Sequence, residues 1–139
     1  MAVKHLPADV LCMGVFMDNT DISQKLQEKV YLSLLYDFYG ELLKNHNKQI
    51  FEDYILNDLS LGEIAQEQGI SRQGVYDIVK RCSKHLTDYE EKLGLIHKFE
   101  TTRQMAEEIH SLAAELKTEY REDTLEKVLA LSRNMIEVL

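Results

Sequence analysis

One proline and 6 glycines in 139 residues leave this chain few backbone breakers, which excludes a turn-rich architecture and predicts long helices. Its two cysteines, Cys12 and Cys82, have no paired spacing. That excludes a disulfide framework and a cysteine-based zinc site, and points to a reducing compartment, with the cytoplasm as the expected location. Basic residues are the minority, 16 Lys and Arg against 24 Asp and Glu for a net charge of −8, so a generally basic nucleic-acid coat is excluded. Long hydrophobic runs are missing too. The apolar run 10–17 behind Lys4 is too short to span a bilayer and has no small-residue cleavage site, so neither a membrane anchor nor a signal peptide is expected. The five histidines, His5, His46, His85, His97 and His110, lack the i, i+4 pairing of a helical metal site. No phosphate-cradling glycine loop, nucleophile elbow or hydrolase triad spacing occurs either. No catalytic residue, metal ligand or cofactor is therefore expected, and the chain does not read as an enzyme.

What the chain does have is concentrated in residues 61–80. Ser60 can cap a short helix, Glu63 completes a capping box three residues on, and Gly69 supplies the left-handed turn that ends it. Ser71 can cap a second helix in which Val75, Ile78 and Val79 recur at helical spacing, opposite Ile64, Ala65 and Ile70. A small residue, Ala65, stands where two steeply crossing helices need one, and the connecting turn is short, as in a helix-turn-helix unit. One position fits badly: Gln68 takes a place where an apolar side chain would close the small core.

Around this unit the apolar pattern is helical throughout. Tyr31, Leu35, Phe38 and Leu42 follow a 4-3-4 spacing, and Leu32, Tyr36, Tyr39 and Leu43 repeat it one residue along, which predicts one helix over 22–43 with an unusually wide apolar face. Gly40 inside that helix implies close approach of a neighbouring backbone. A second helix, capped by Asn45 or Asn47, runs through Ile50, Phe51, Tyr54 and Ile55 and stops near Asn57-Asp58. The helix begun at Ser71 continues through His85, Leu86, Tyr89 and Leu93 to Gly94. Beyond it Met105, Ile109, Leu112 and Leu116 repeat at 4-3-4, and Asp123 with Glu126 signals a last helix through Leu125, Val128, Leu129, Ser132, Met135, Ile136 and Leu139. The expected fold is all-α, with an N-terminal extension at 1–21, a helix-turn-helix domain at 22–93, and C-terminal amphipathic helices at 94–139 that serve as a dimerisation segment. The three-helix lead-in plus recognition helix is the arrangement of the promoter-reading four-helix domain of bacterial sigma factors.

The blocks Leu35-Tyr-Asp-Phe-Tyr-Gly-Glu-Leu-Leu43, Tyr54-Ile-Leu-Asn-Asp-Leu-Ser-Leu-Gly-Glu-Ile-Ala65, Gly69-Ile-Ser-Arg-Gln-Gly-Val-Tyr-Asp77 and Tyr89-Glu-Glu-Lys-Leu-Gly-Leu95 together resemble the YlxM-like family of small bacterial proteins. That resemblance implies a fold like sigma-factor region 4. In that family the gene typically lies beside the one for the signal recognition particle (SRP) GTPase, which implies a regulatory part in the SRP protein-targeting pathway. This chain departs from the pattern at Gln68, where such proteins usually carry Leu, and in its long leader and its tail after Phe99.

A helix that reads DNA needs exposed side chains at its N-terminal end to reach base edges, flanked by donors for phosphates. Ser71, Arg72, Gln73, Tyr76 and Asp77 are the exposed candidates. Arg72 can pair bidentately with guanine and Gln73 with adenine, while Ser71, the helix-terminal amides, Lys80, Arg81 and Lys84 can meet phosphates. Asp77 opposes a polyanion unless it accepts from a cytosine amine or pairs with Arg81 at i+4. Residues 60–93 carry 5 basic against 6 acidic residues, compared with 5 against 9 before them and 6 against 9 after, so the motif is the least acidic part. With about four phosphate contacts per copy, affinity falls quickly with salt, and useful binding of double-stranded DNA calls for a homodimer. The rival expectation is an accessory factor that binds no DNA and contacts SRP RNA or protein directly.

Overall fold

The computed structural model describes residues 19–139. The apolar run 10–17, Cys12, and the extension expected at 1–21 up to residue 18 lie outside the described residues; residues 19–21 form the first turn of α1. Six helices and no strands make up the described residues, so the fold is all-α: α1 (Asn19–Tyr39), α2 (Asn45–Ile55), α3 (Leu61–Gln68), α4 (Arg72–Leu93), α5 (Leu95–Thr118) and α6 (Glu122–Val138). They divide into two compact units, one ending at Tyr89 and the other running from Glu90 to Leu139.

The core of the first unit is built from the apolar faces that the spacing marks. Leu35, Tyr36, Tyr39 and Leu43, Ile50 and Phe51 of α2, Ile64 and Ala65 of α3, and Val75, Val79, Cys82 and Leu86 of α4 are all buried in it. Aromatic rings join the layers: Tyr36 and Phe51 lie 5.9 Å apart between centroids, and Tyr39 and Tyr89 lie 6.0 Å apart, both within the range of favourable tilted pairs. Cys82 is the free thiol of the described residues; burial pushes it above the usual thiol range, so it packs as a small apolar group. The one sealed polar side chain of α4, Ser83, donates to the Val79 carbonyl at 2.9 Å and so is satisfied within its own helix.

Three local expectations differ from what forms. The wide-faced helix does not reach residue 43. It ends at Tyr39 and tightens into a 3-10 turn, Gly40–Leu42. What crowds Gly40 most closely is not a neighbouring backbone but a side chain from the last turn of α1: a Cβ there would lie 2.8 Å from Tyr36 Cε2 and 2.9 Å from Cδ2. That ring has little room to step aside, because it is buried and lies 5.9 Å from the Phe51 ring between centroids. Gly40→Ala is therefore expected to destabilise the protein by about 1–2 kcal/mol, overpacking outweighing the usual helix gain of Ala over Gly. Chemical denaturation checks this, and Tyr36→Leu should cancel most of the penalty; a Gly40→Ala chain as stable as wild type would refute the clash. Second, α2 is flanked at its start by Lys44 in extended backbone with no side-chain cap, so neither Asn45 nor Asn47 caps it. Third, the last helix forms but starts just ahead of its Asp123 signal: Arg121 holds the cap position of α6, and Asp123 lies in the first turn, where its carboxylate faces Arg121 at 3.4 Å and favours the helix dipole.

The connection from α2 to α3 is held at its outer side by Lys29. Its ammonium bonds Asp58 at 2.8 Å and lies 4.8 Å from the Tyr54 ring centroid, which ties α1 to the loop that delivers the chain to α3. Asp58 takes a positive φ of 53° there, a conformation that Asp tolerates better than most residues.

In the second unit α5 and α6 pack on each other as a helical hairpin. Gly94, at φ 60°, ends α4 in the left-handed region, and the Glu90 carboxylate accepts from the backbone N–H of Ile96 and His97 at 3.1 Å, satisfying the first amides of α5. The expected 4-3-4 row of Met105, Ile109, Leu112 and Leu116 is half-buried along α5. No helix among the described residues is long and apolar enough to cross a membrane.

Candidate nucleic-acid interface

The turn between α3 and α4 determines how the face of α4 is presented. At the start of α3 both halves of the capping box form: Glu63 N–H donates to Ser60 Oγ at 3.2 Å, and Ser60 N–H donates to Glu63 Oε2 at 2.8 Å. At its end Gly69 adopts φ 65°, and both its N–H and that of Ile70 turn back to the Ala65 carbonyl. Two residues later Ser71 Oγ accepts from the Gly74 N–H at 2.9 Å, which starts α4. Gln68, the poor fit of the motif, is half-buried rather than sealed.

The capping box makes a direct prediction. The backbone and hydroxyl of Ser60 hold the Glu63 carboxyl below its usual range. Because folding lowers this pKa, the contribution is complete above the ordinary glutamate range and is lost as the pH falls through the lowered value. Ser60→Ala should cost about 1 kcal/mol. The stability gap between wild type and Glu63→Ala should close on acidification; a gap that widens in acid would contradict the box.

On α4 the eight candidate residues share one side. Arg72, Tyr76, Lys80 and Lys84 form an i, i+4, i+8, i+12 row, and Gln73, Asp77 and Arg81 form the row beside it, with Ser71 at the cap. All eight are exposed, while Val75, Val79, Cys82 and Leu86 on the opposite side are buried. Four cations and one carboxylate line this face, and Arg72, Lys80, Arg81 and Lys84 form no ion pair among the described residues. The carboxylate is engaged differently from the expected i+4 pair with Arg81. Asp77 Oδ1 accepts from Gln73 Nε2 at 3.0 Å, leaving Arg81 unpaired. Spacing alone leaves this open, because Asp77 has a possible partner four residues away on either side.

Residues 26–128 match the family described as "Putative helix-turn-helix protein, YlxM / p13 like", UPF0122. The chain belongs to this family. Among its members, a UPF0122 protein of Caldanaerobacter subterraneus subsp. tengcongensis is 52% identical over 80 residues, 58% of this chain and 68% of that protein. The UPF0122 protein YlxM of Bacillus subtilis is 43% identical over 94 residues, covering 68% and 86% respectively. A UPF0122 protein of Bacillus velezensis is 40% identical over 104 residues, covering 75% and 94%. Some alignments are shorter, that with a Thermoanaerobacter relative reaching 57% of the relative's length at 57% identity over 67 residues. The UPF0122 match takes in the whole helix-turn-helix unit and the face of α4, and it stops within α6.

Proposed function

We propose that the chain is a helix-turn-helix regulator that reads double-stranded DNA with the exposed side of α4. The single observation that carries this is the arrangement of Arg72, Gln73, Tyr76, Lys80, Arg81 and Lys84 on one solvent-facing side of the second helix of the motif, with the cations unpaired. In this role the Ser71 hydroxyl and the first amides of α4 sit at the positive end of the helix dipole and hold a phosphate. Arg72 and Gln73, in the first turn, reach base edges in the major groove, and Lys80, Arg81 and Lys84 follow the backbone further along. From Arg72 to Lys84 the face is about 18 Å long at 1.5 Å per residue, enough for one groove crossing. The resemblance to the YlxM-like family supports a role for this regulator in the SRP targeting pathway.

The net charge of −8 favours a second reading, in which the same scaffold contacts SRP RNA or an SRP protein directly and uses the basic face of α4 as a local patch on an acidic body. Unbiased selection of duplex DNA and RNA on the purified full chain separates the two. A duplex motif retained against competitor DNA supports the first. Recovery of RNA, or of SRP components in a pull-down without any duplex, supports the second. Failure to retain nucleic acid or SRP components at low salt overturns both.

A further inference from the structure

The hairpin of α5 and α6 leaves one apolar row of α6 in solvent. Val128, Leu131, Met135 and Val138 are half-buried, whereas Leu129 is 55% exposed, Ile136 71% and Leu139 82%. With half-buried Leu125 and with Ser132 these residues follow a 4-3-4-3 spacing over 125–139. That is a heptad seam, and it is distinct from the side that faces α5. Most of it, from Leu129 on, lies beyond the region matched by the family. A two-helix hairpin is too thin to seal either stripe, and small units of this kind are ordinarily completed by association.

We infer that a second copy of this chain occupies the seam, with the two α6 helices packed antiparallel across a two-fold axis. The charges beside the seam set this direction. Glu126 and Arg133 flank it at equivalent heptad positions, both are exposed, and neither forms an ion pair among the described residues. An antiparallel register that sets Leu125 against the partner's Ile136, and Leu129 against the partner's Ser132, brings Glu126 beside the partner's Arg133. The symmetry makes the same pair a second time. Parallel pairing would instead turn Glu126 toward the partner's Arg121, which is already engaged by Asp123 of its own chain. Antiparallel packing also sets the helix dipoles in opposition. Within one helix, Glu126 and Arg133 are two turns apart and do not meet.

This proposal is independent of DNA binding, and its test is the mass of the full chain in solution by sedimentation equilibrium. Wild type should have the mass of two chains. Ile136→Asp, at a site too exposed to matter to the hairpin itself, should reduce it to one chain with unchanged helix content by circular dichroism. Arg133→Glu should weaken the dimer by placing like charges together, and adding Glu126→Arg should restore it. A monomeric wild type, or an Ile136→Asp chain that remains dimeric, overturns the inference. A double variant that fails to regain the dimer overturns the antiparallel register.

Discussion

Phe51→Ala should cost the first unit about 3–5 kcal/mol, the usual range for removing a fully buried aromatic ring. Phe51 is 0% exposed and stacks on Tyr36, so its loss opens a cavity between α1 and α2 and also frees the ring that confines Gly40. Against a typical total stability of about 5–15 kcal/mol, that is a large share. The reason lies in how the motif is supported. The α3 helix has only eight residues, too few to persist alone, and it is held by Ile64 and Ala65 in the same core that Phe51 fills. The face of α4 should therefore lose its fixed presentation along with the core. Denaturant unfolding followed by circular dichroism gives the measurement; a loss below about 0.5 kcal/mol, the scale of ordinary surface changes, would mean that Phe51 does not anchor this layer.

The second large effect is on duplex recognition. Arg72→Ala should reduce affinity for a selected duplex by about 5- to 150-fold, corresponding to about 1–3 kcal/mol for a bidentate base contact, and should relax the base preference at one position. Lys84→Ala should leave the preference intact and make the salt slope shallower by about one unit, as expected for loss of one phosphate contact. Asp77 is the informative case, because it does two opposing things. Its carboxylate repels the backbone of DNA, and it also holds the Gln73 amide by the 3.0 Å bond, which leaves the Gln73 oxygen and one N–H free to pair with adenine. Asp77→Ala should thus raise overall affinity and blur the preference at the position that Gln73 reads. Filter binding or anisotropy over a salt series with point-changed duplexes separates these outcomes. Arg72→Ala and Gln73→Ala chains that bind as tightly and as selectively as wild type would remove the DNA reading.

The candidate site shows how far spacing carries an inference. A buried and an exposed side of α4 follow from 3.6-residue periodicity, so the division between Val75, Val79 and Leu86 on one side and Arg72, Gln73 and Lys80 on the other needs only the sequence. The partner of Asp77 does not follow. Gln73 and Arg81 are both four residues from it, both contacts are worth a few tenths of a kcal/mol on an exposed helix, and rotamer geometry decides between them. Gly40 behaves the same way in the core. Its presence in an apolar helix signals a steric demand, but only the packed position of the Tyr36 ring identifies the atom that imposes it.

Local sequence sufficed for the helical character, the capping box at Ser60 and Glu63, the left-handed turn at Gly69 and the outward side of α4. Each depends on residues within one or two turns of each other, where covalent geometry leaves little choice. Packing settled what depends on contacts across elements. It ended α1 at Tyr39, tied Asp58 to Lys29, and chose which row of α6 faces α5 and which, at Leu129 and Ile136, remains in water. Two apolar rows on one helix are equivalent until a neighbour covers one of them, and no local rule says which one that neighbour takes.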